Sequence, residues 1–170
     1  MKIEKHRVYL LIGTNQGDRQ YNIKQARKHI REQLGDIILI SGVYESAPWG
    51  FVSETNFLNQ AIEIETKVSA NECLNILKQI EQSMGREITH IQGYTSRIID
   101  IDILFFNSDI INTDQLTVPH KLMHERRFVL KPMLEIAPEY VHPVFQQTIQ
   151  KLFESCKDTS EIIRIDDKCT

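Results

Sequence analysis

In some segments of the chain apolar residues recur at every second position, and in others they recur about every 3.6 positions. This pattern predicts strands interleaved with helices. The first apolar run, Arg7 to Gly13 (RVYLLIG), predicts a strand that ends at the glycine. The helix that follows begins at Asp18 as its N-cap and stops at Gly35. Its buried face comprises Ile23, Ala26, Ile30 and Leu34. In the turn between strand and helix, we expect Thr14 and Asn15 to satisfy local backbone groups.

A strand pair and a second helix follow. Residues 36–46 (DIILISGVYES) predict one strand, residues 48–56 (PWGFVSETN) a loop, and residues 57–66 (FLNQAIEIET) a third strand. Ser69 and Glu72 have the spacing of a capping box, and Gly85 ends the helix that this box begins. The buried stripe of that helix comprises Leu74, Leu77, Ile80 and Met84.

Residues 97–106 (RIIDIDILFF) predict the fourth strand. The order β-α-β-β-α-β is that of the ferredoxin-like fold, so we expect an α+β protein, an α/β sandwich with this core. Short helices at 128–134 and 149–156 and a last strand at 161–166 are expected as C-terminal additions. Without a repeat or a linker-like segment, residues 1–170 are interpreted as a single domain.

Composition narrows the class of protein. A chain of 170 residues with 41% hydrophobic and 25% charged residues is typical of one globular domain. The net charge of −3 gives no general attraction to nucleic acid or acidic membranes, and we expect neither as a partner. No apolar run is long enough for a signal peptide or a membrane span. The cysteines, Cys73, Cys156 and Cys169, lie far apart, which fits a reducing cytoplasm.

Two carboxylates interrupt the fourth strand. Alternate strand residues share a face, so Asp100 and Asp102 point the same way at a spacing of roughly 7 Å. Carboxylates this close repel each other, and a divalent cation such as Mg²⁺ would offset the repulsion. The alternative is a strand end at which both aspartates are solvated or paired with arginine.

Cations flank the aspartates on both sides. Arg97 precedes them, Arg86 lies across a loop, and residues 119–128 (PHKLMHERRF) follow with further basic side chains. Carboxylates beside scattered cations favour a metal-bound polyphosphate. The chain contains neither the P-loop pattern G-x-x-x-x-G-K-[ST] nor G-x-G-x-x-G, so a nucleotide would bind without these common phosphate loops.

Aromatic and amide side chains suggest a second kind of ligand. Asn59 is either a buried, hydrogen-bonded amide or a donor and acceptor for a planar heterocycle. Phe57 and Phe128 are either core residues or stacking partners for such a ring. Trp49 lies in a Pro/Gly loop, where a binding wall is the favoured interpretation.

Six segments, in this order and spacing, resemble the 6-hydroxymethyl-7,8-dihydropterin diphosphokinase family of folate biosynthesis. They are LIGTNQGDRQYNI, VYESAPWG, NFLNQAI, IEQSMGR, SRIIDIDILFF and VPHKLMHERRFVLKPMLEIAP. The resemblance implies a ferredoxin-like core and an enzyme that transfers the diphosphate of ATP to the hydroxymethyl group of the pterin, releasing AMP. ATP and the dihydropterin are the partners that it implies, and we expect the protein to be a monomer.

The resemblance also implies site residues. Asp100 and Asp102 would hold two Mg²⁺ ions, and together with Arg86 and Arg97 they would be the catalytic residues. The residues that would bind ATP are Lys78, Glu81, Arg86, Arg97, His120 and Arg126. The residues that would bind the pterin are Ser46, Ala47, Trp49, Phe57, Asn59 and Phe128, with the two phenylalanines on either face of the ring and Asn59 at its edge.

Two other classes of protein remain as alternatives. A nuclease or sugar-nucleotide transferase that uses D-x-D would be indifferent to pterin. A non-enzymatic ferredoxin-like binding module would tolerate asparagine at Asp100 and Asp102. Neither alternative accounts for the six ordered segments.

Overall fold

The structure is a computed structural model that describes residues 4–85 and 96–165. Its strands are β1 His6–Thr14, β2 Gly35–Ile40, β3 Val43–Ser46, β4 Phe57–Thr66, β5 Asp100–Phe106, β6 Ile111–Asn112, β7 Thr117–Val118 and β8 Ile162–Ile165. Its helices are α1 Arg19–Gln33, α2 Ala70–Ser83, a short 3₁₀ turn Met123–Glu125, α3 Arg127–Ile136 and α4 Ile149–Ser155.

The main sheet is antiparallel throughout. Its strands lie in the order β5-β1-β4-β3-β8, and β2 pairs with β4 beyond the end of β3. If β2 and β3 are counted as one strand, this is the strand order of the split β-α-β-β-α-β motif. The predicted ferredoxin-like α+β core is confirmed, and β8 extends the sheet at the edge opposite β5.

The prediction of one continuous second strand over residues 36–46 is wrong, because this segment forms two strands, β2 and β3. Ile40 pairs with Ile62 and Tyr44 pairs with Asn59, so one extra residue is accommodated between the two segments. At the break, the Ser41 hydroxyl accepts a hydrogen bond from the backbone of Ala61 at 3.0 Å. The side chain therefore satisfies a strand amide that the interrupted ladder leaves unpaired.

Both predicted helix starts are confirmed. The Asp18 side chain accepts a hydrogen bond from Tyr21 N at 3.0 Å, and Ser69 and Glu72 form the reciprocal capping box. The predicted stop of α1 is confirmed, since the helix ends at Gln33 with Leu34 as its C-cap, and Gly35 follows directly as the first residue of β2. In α2, Leu77 and Ile80 are buried with Cys73, whereas Leu74 and Met84 of the predicted stripe are only partly buried.

The sheet has an apolar core on each face. The face covered by α1 and α2 receives Val8, Leu10 and Ile12 of β1. The opposite face, covered by α3 and α4, receives Tyr9 and Leu11 of the same strand. Because β1 is buried on both sides, its sequence is a continuous apolar run with no polar alternation.

The C-terminal additions follow the prediction closely: α3, α4 and β8 lie where the sequence placed them. The small β6–β7 hairpin was not predicted. It precedes the segment that brings His120 back against β5. Within the described ranges, no helix is long and apolar enough to cross a lipid bilayer.

Candidate active site

The two aspartates lie on one face of β5, as predicted. In the register with β1, Asp100 pairs with Gly13 and Asp102 with Leu11. Ile101 and Ile103 point the other way, into the core beneath α1 and α2. The aspartate side chains retain 26% and 35% of their exposure, so both carboxylates border the same solvent-accessible cavity.

Each carboxylate faces a basic side chain. Arg97 Nη1 lies 3.0 Å from Asp100 Oδ1, and His120 Nε2 lies 3.9 Å from Asp102 Oδ2. The alternative to a metal site, in which both aspartates are solvated or paired with arginine, is thus observed in part, because Asp100 pairs with Arg97. Burial lowers the pKa of His120 below its ordinary value, and the negative charge of Asp100 opposes that shift.

The position of His120 comes from its backbone. His120 N donates to Leu104 O at 3.0 Å, which fastens the loop to the outer edge of β5. The peptide bond between Val118 and Pro119, just before this contact, is cis. The contact with Leu104 keeps the loop against β5, with the imidazole beside Asp102.

The other half of the cavity is aromatic. Phe51 and Phe57 contact each other edge to face, with ring centroids 5.9 Å apart. The guanidinium carbon of Arg126 lies 4.7 Å from the ring centroid of Trp49 and 5.9 Å from that of Phe128. Burial lowers the pKa of Arg126 to about 10, so the side chain remains a cation at neutral pH.

Asn59 lies between the two halves. Its amide nitrogen donates to Ser46 Oγ at 3.1 Å, which fixes the orientation of the amide. A Cβ atom at Gly13 would lie 3.1 Å from Asn59 Oδ1, which is tighter than nine in ten Cβ contacts in proteins. Glycine at position 13 thus leaves room for this amide at the floor of the cavity.

One cavity gathers most of the predicted site residues. Its lining includes Ser46, Ala47, Trp49, Phe57, Asn59, Arg97, Asp100, Asp102, His120, Arg126 and Phe128. Lys78 lies exposed on α2, and Glu81 is buried on the same helix, where its carboxylate accepts a hydrogen bond from Ile101 N. Neither belongs to the cavity lining, and their predicted role with ATP stays a prediction. Arg86 lies outside the described residues.

The sequence analysis missed three lining residues, Leu11, Gly13 and Phe51. Phe51 had a usable signal, because it shares the Pro/Gly loop that singled out Trp49. Leu11 and Gly13 had none, since only the pairing of β1 with β5 places them beside the aspartates.

The donor set suits magnesium. Among residues 4–85 and 96–165, no group of three or more His, Cys, Asp or Glu side chains is placed to enclose a metal ion. Asp100 and Asp102 instead offer hard carboxylate oxygens at the border of an open cavity. Magnesium is commonly held by one or two protein carboxylates, with water and substrate phosphates as its remaining ligands. The residues present therefore fit the ion.

The sequence matches one protein family and several named proteins. Residues 9–138 match the model of the family 7,8-dihydro-6-hydroxymethylpterin-pyrophosphokinase. Two proteins named 2-amino-4-hydroxy-6-hydroxymethyldihydropteridine pyrophosphokinase align well. That of Aquifex aeolicus is 39% identical over 144 residues, covering 85% of this chain and 88% of the relative. That of Bacillus subtilis is 35% identical over 158 residues, covering 92% and 88%.

Some relatives are much longer. A folic acid synthesis protein of Dictyostelium discoideum is 41% identical over 145 residues, which is 85% of this chain but 22% of that protein. Among solved structures, an HPPK-DHPS protein of Plasmodium falciparum superimposes with a TM-score of 0.73 at 21% identity, covering 90% of this chain and 46% of that one. At this identity the superposition supports the fold alone.

The family match and the two relatives of similar length agree with the resemblance carried by the six sequence segments. They also favour it over the two alternatives, a D-x-D nuclease or sugar-nucleotide transferase and a binding module. The chain belongs to the 7,8-dihydro-6-hydroxymethylpterin-pyrophosphokinase family.

Proposed function

We propose that this chain transfers the diphosphate of ATP to the hydroxymethyl group of 6-hydroxymethyl-7,8-dihydropterin, in a magnesium-dependent reaction of folate biosynthesis that releases AMP. Pyrophosphokinase activity follows from membership of the family. The observation that carries the rest is a single cavity in which two carboxylates face four aromatic side chains, Trp49, Phe51, Phe57 and Phe128, and one oriented amide.

The aromatic half suits a flat heterocycle. Phe57 and Phe128 are assigned to the two faces of the pterin ring, where offset stacking is favourable. Asn59 is assigned to the ring edge, because its carbonyl and amide supply both an acceptor and a donor. Trp49, Ser46 and Ala47 complete the adjoining wall.

The charged half suits the triphosphate of ATP. Arg97 and His120 lie beside the aspartates, and Arg126 lines the same cavity from its aromatic half. Guanidinium groups pair with phosphate oxygens through two parallel hydrogen bonds. We assign Arg86, Lys78 and Glu81 to the nucleotide on the family resemblance alone.

Asp100 and Asp102 are the residues that would hold two Mg²⁺ ions. When bound, the ions would neutralise phosphate charge and favour ionisation of the acceptor hydroxyl. Both aspartates are carried by β5, and the Arg97 contact also holds the Asp100 carboxylate.

The chemistry requires little from the side chains beyond placement. The pterin hydroxyl gives its proton to solvent water and its oxygen forms a bond to the β-phosphorus of ATP. The bond between that phosphorus and the oxygen that bridges it to the α-phosphorus breaks, and AMP leaves with the bridging oxygen. Burial of His120 disfavours its protonated form, and Asp100 and Asp102 are assigned to metal, so no strong base is assigned to the hydroxyl. Catalysis then rests on alignment of the two substrates and on charge neutralisation.

We further propose that the chain acts as a cytoplasmic monomer that needs neither nucleic acid nor a membrane. Its net charge is −3, and Cys73 and Cys156 are free thiols, as is usual in a reducing compartment. Gel filtration with light scattering would measure the mass, and a value near twice 19.8 kDa would contradict the monomer.

The direct test incubates the protein with ATP, Mg²⁺ and 6-hydroxymethyl-7,8-dihydropterin and separates the adenine nucleotides. We expect AMP to form only when the pterin is present, and EDTA to abolish its formation. Pterin-dependent ADP would indicate a monophosphate-transferring kinase instead. The absence of any pterin-dependent nucleotide product would contradict the proposal.

A further inference from the structure

Asn15 connects segments that are distant in the sequence. It follows β1, and its exposure is 1%. Its carbonyl oxygen accepts a hydrogen bond from Arg97 N at 2.7 Å, and its own backbone N donates to Arg97 O at 3.1 Å. The sequence predicted that the Asn15 side chain bonds to backbone groups of its own turn. Its shortest hydrogen bond is instead to a residue that is distant in the sequence.

The amide nitrogen of Asn15 faces two loops. It donates to Ser96 Oγ at 3.0 Å and makes longer contacts to Ser53 Oγ at 3.4 Å and Thr55 O at 3.5 Å. An amide nitrogen carries two protons, so the two long contacts share one of them. The side chain is held firmly by residues 96 and 97 and loosely by the loop that contains Ser53.

These two segments serve opposite halves of the cavity. The loop with Ser53 and Thr55 lies between Phe51 and Phe57, the edge-to-face pair of the aromatic half. Arg97 contacts Asp100 in the charged half. A displacement of either segment is thus transmitted to Asn15 through hydrogen bonds.

We propose that Asn15 is a positioning residue that couples the pterin half of the cavity to its nucleotide half. This inference rests on the proposed function, which assigns those two ligands. Because Asn15 contacts both segments, a ligand that fixes one segment reduces the cost of fixing the other. Binding of either ligand then strengthens binding of the other, and the two effects are equal by thermodynamic reciprocity.

The test measures this coupling by calorimetry. The Kd of 6-hydroxymethyl-7,8-dihydropterin is determined with and without Mg²⁺ and α,β-methylene-ATP, in which the bond to be broken is replaced. In the wild-type protein we expect the nucleotide analogue to tighten pterin binding by about 5-fold to 150-fold, the usual range for coupled sites. In Asn15→Ala we expect the ratio of the two Kd values to fall within about twofold of 1, the value for uncoupled sites.

Two further variants sharpen the result. The double variant Ser53→Ala/Ser96→Ala removes hydroxyls that Asn15 contacts while leaving Asn15 itself in place, and it should also lower the ratio. It keeps the test decisive if Asn15→Ala does not fold. Asn107→Gly is the matched control, because Asn107 also contacts distant residues, Arg7 N and His6 Nδ1, both at 3.0 Å. Glycine tolerates the φ of 49° at that position.

A wild-type ratio near 1 would overturn the inference, provided that both ligands bind. So would an Asn15→Ala protein that binds each ligand more weakly but keeps the wild-type ratio, since that is the effect of a purely structural residue. Failure of the wild-type protein to bind the pterin at all would instead contradict the proposed function.

Discussion

The carboxylate of Glu81 accepts a hydrogen bond at 2.7 Å from the backbone amide of Ile101, the residue that separates Asp100 from Asp102. Among the described residues β5 is the terminal strand of the sheet, so no strand within 4–85 or 96–165 pairs with the outward amide of Ile101. Glu81 is only 5% exposed and supplies the acceptor from α2. The contact fixes the strand segment on which both aspartates are held.

Substitutions at Glu81 should distinguish the contribution of its hydrogen bond to stability from the contribution of its charge. Glu81→Met removes the acceptor for a buried amide, and we expect the free energy of unfolding to fall by about 1–3 kcal/mol. Glu81→Gln keeps an acceptor oxygen and should lose markedly less. Urea denaturation measures both variants. Equal losses would mean that the charge of Glu81, and not its hydrogen bond to Ile101, determines stability.

The aspartates should be required for activity but not for folding. In Asp100→Asn and Asp102→Asn we expect AMP formation to fall by about 100-fold or more, the size of effect seen when one electrostatic group of an active site is removed. The thermal unfolding midpoint should change little, because both side chains border the open cavity. Initial rates at several Mg²⁺ concentrations provide the measurement.

Asp114→Asn is the control for these variants, since Asp114 is exposed in the β6–β7 connection, away from the cavity. It should keep wild-type activity. If Asp100→Asn also retained full activity, the carboxylates would have no role in catalysis.

Trp49 should report pterin binding directly. It is the one tryptophan in the sequence and lines the cavity, so a ligand beside it should change the intrinsic fluorescence. Trp49→Leu removes an aromatic ring from the wall assigned to the pterin, and loss of an aromatic contact worth about 0.5–1.5 kcal/mol gives roughly a twofold to twelvefold rise in the KM for pterin. Steady-state kinetics tests this expectation. Tyr21→Leu, on the exposed side of α1, should leave KM unchanged.

His142 should make the protein less stable in mild acid. Burial, with a smaller contribution from the charge of His124, lowers the pKa of His142 from 6.5 to about 4. Between these values the unfolded chain binds a proton that the folded chain does not, so stability falls as the pH drops from 6.5 to 4. The full loss at His142 amounts to about 3 kcal/mol. Chemical denaturation at pH 7.5 and pH 4.5 measures it.

His142→Asn provides the comparison. The ring Nδ1 of His142 accepts from Val144 N at 3.2 Å and Phe145 N at 3.3 Å, and an asparagine oxygen can accept at the same place. We expect the variant to be less stable overall, because it packs less surface against Phe105, but also less dependent on pH. An unchanged difference between pH 7.5 and pH 4.5 would show that other groups cause the acid sensitivity.

Local sequence patterns predicted most of the helices and strands and much of the chemistry. Capping residues are local signals, so Asp18 and Ser69 located both long helices correctly. Strand alternation is also local, and it placed Asp100 and Asp102 on one face. The site residues came mainly from the family resemblance, whose motifs lie on separate segments that only the fold brings to one cavity.

Which side chains and backbone groups contact each other depends on tertiary packing. Asn15 reaches Ser53 and Ser96, and Glu81 reaches Ile101, because strand pairing and helix packing bring together residues that the sequence separates by 20 to 81 positions. The same applies to the division of the second strand, which depends on how β4 pairs with it. Local periodicity carries no information on such long-range contacts, since they depend on how whole elements pack together.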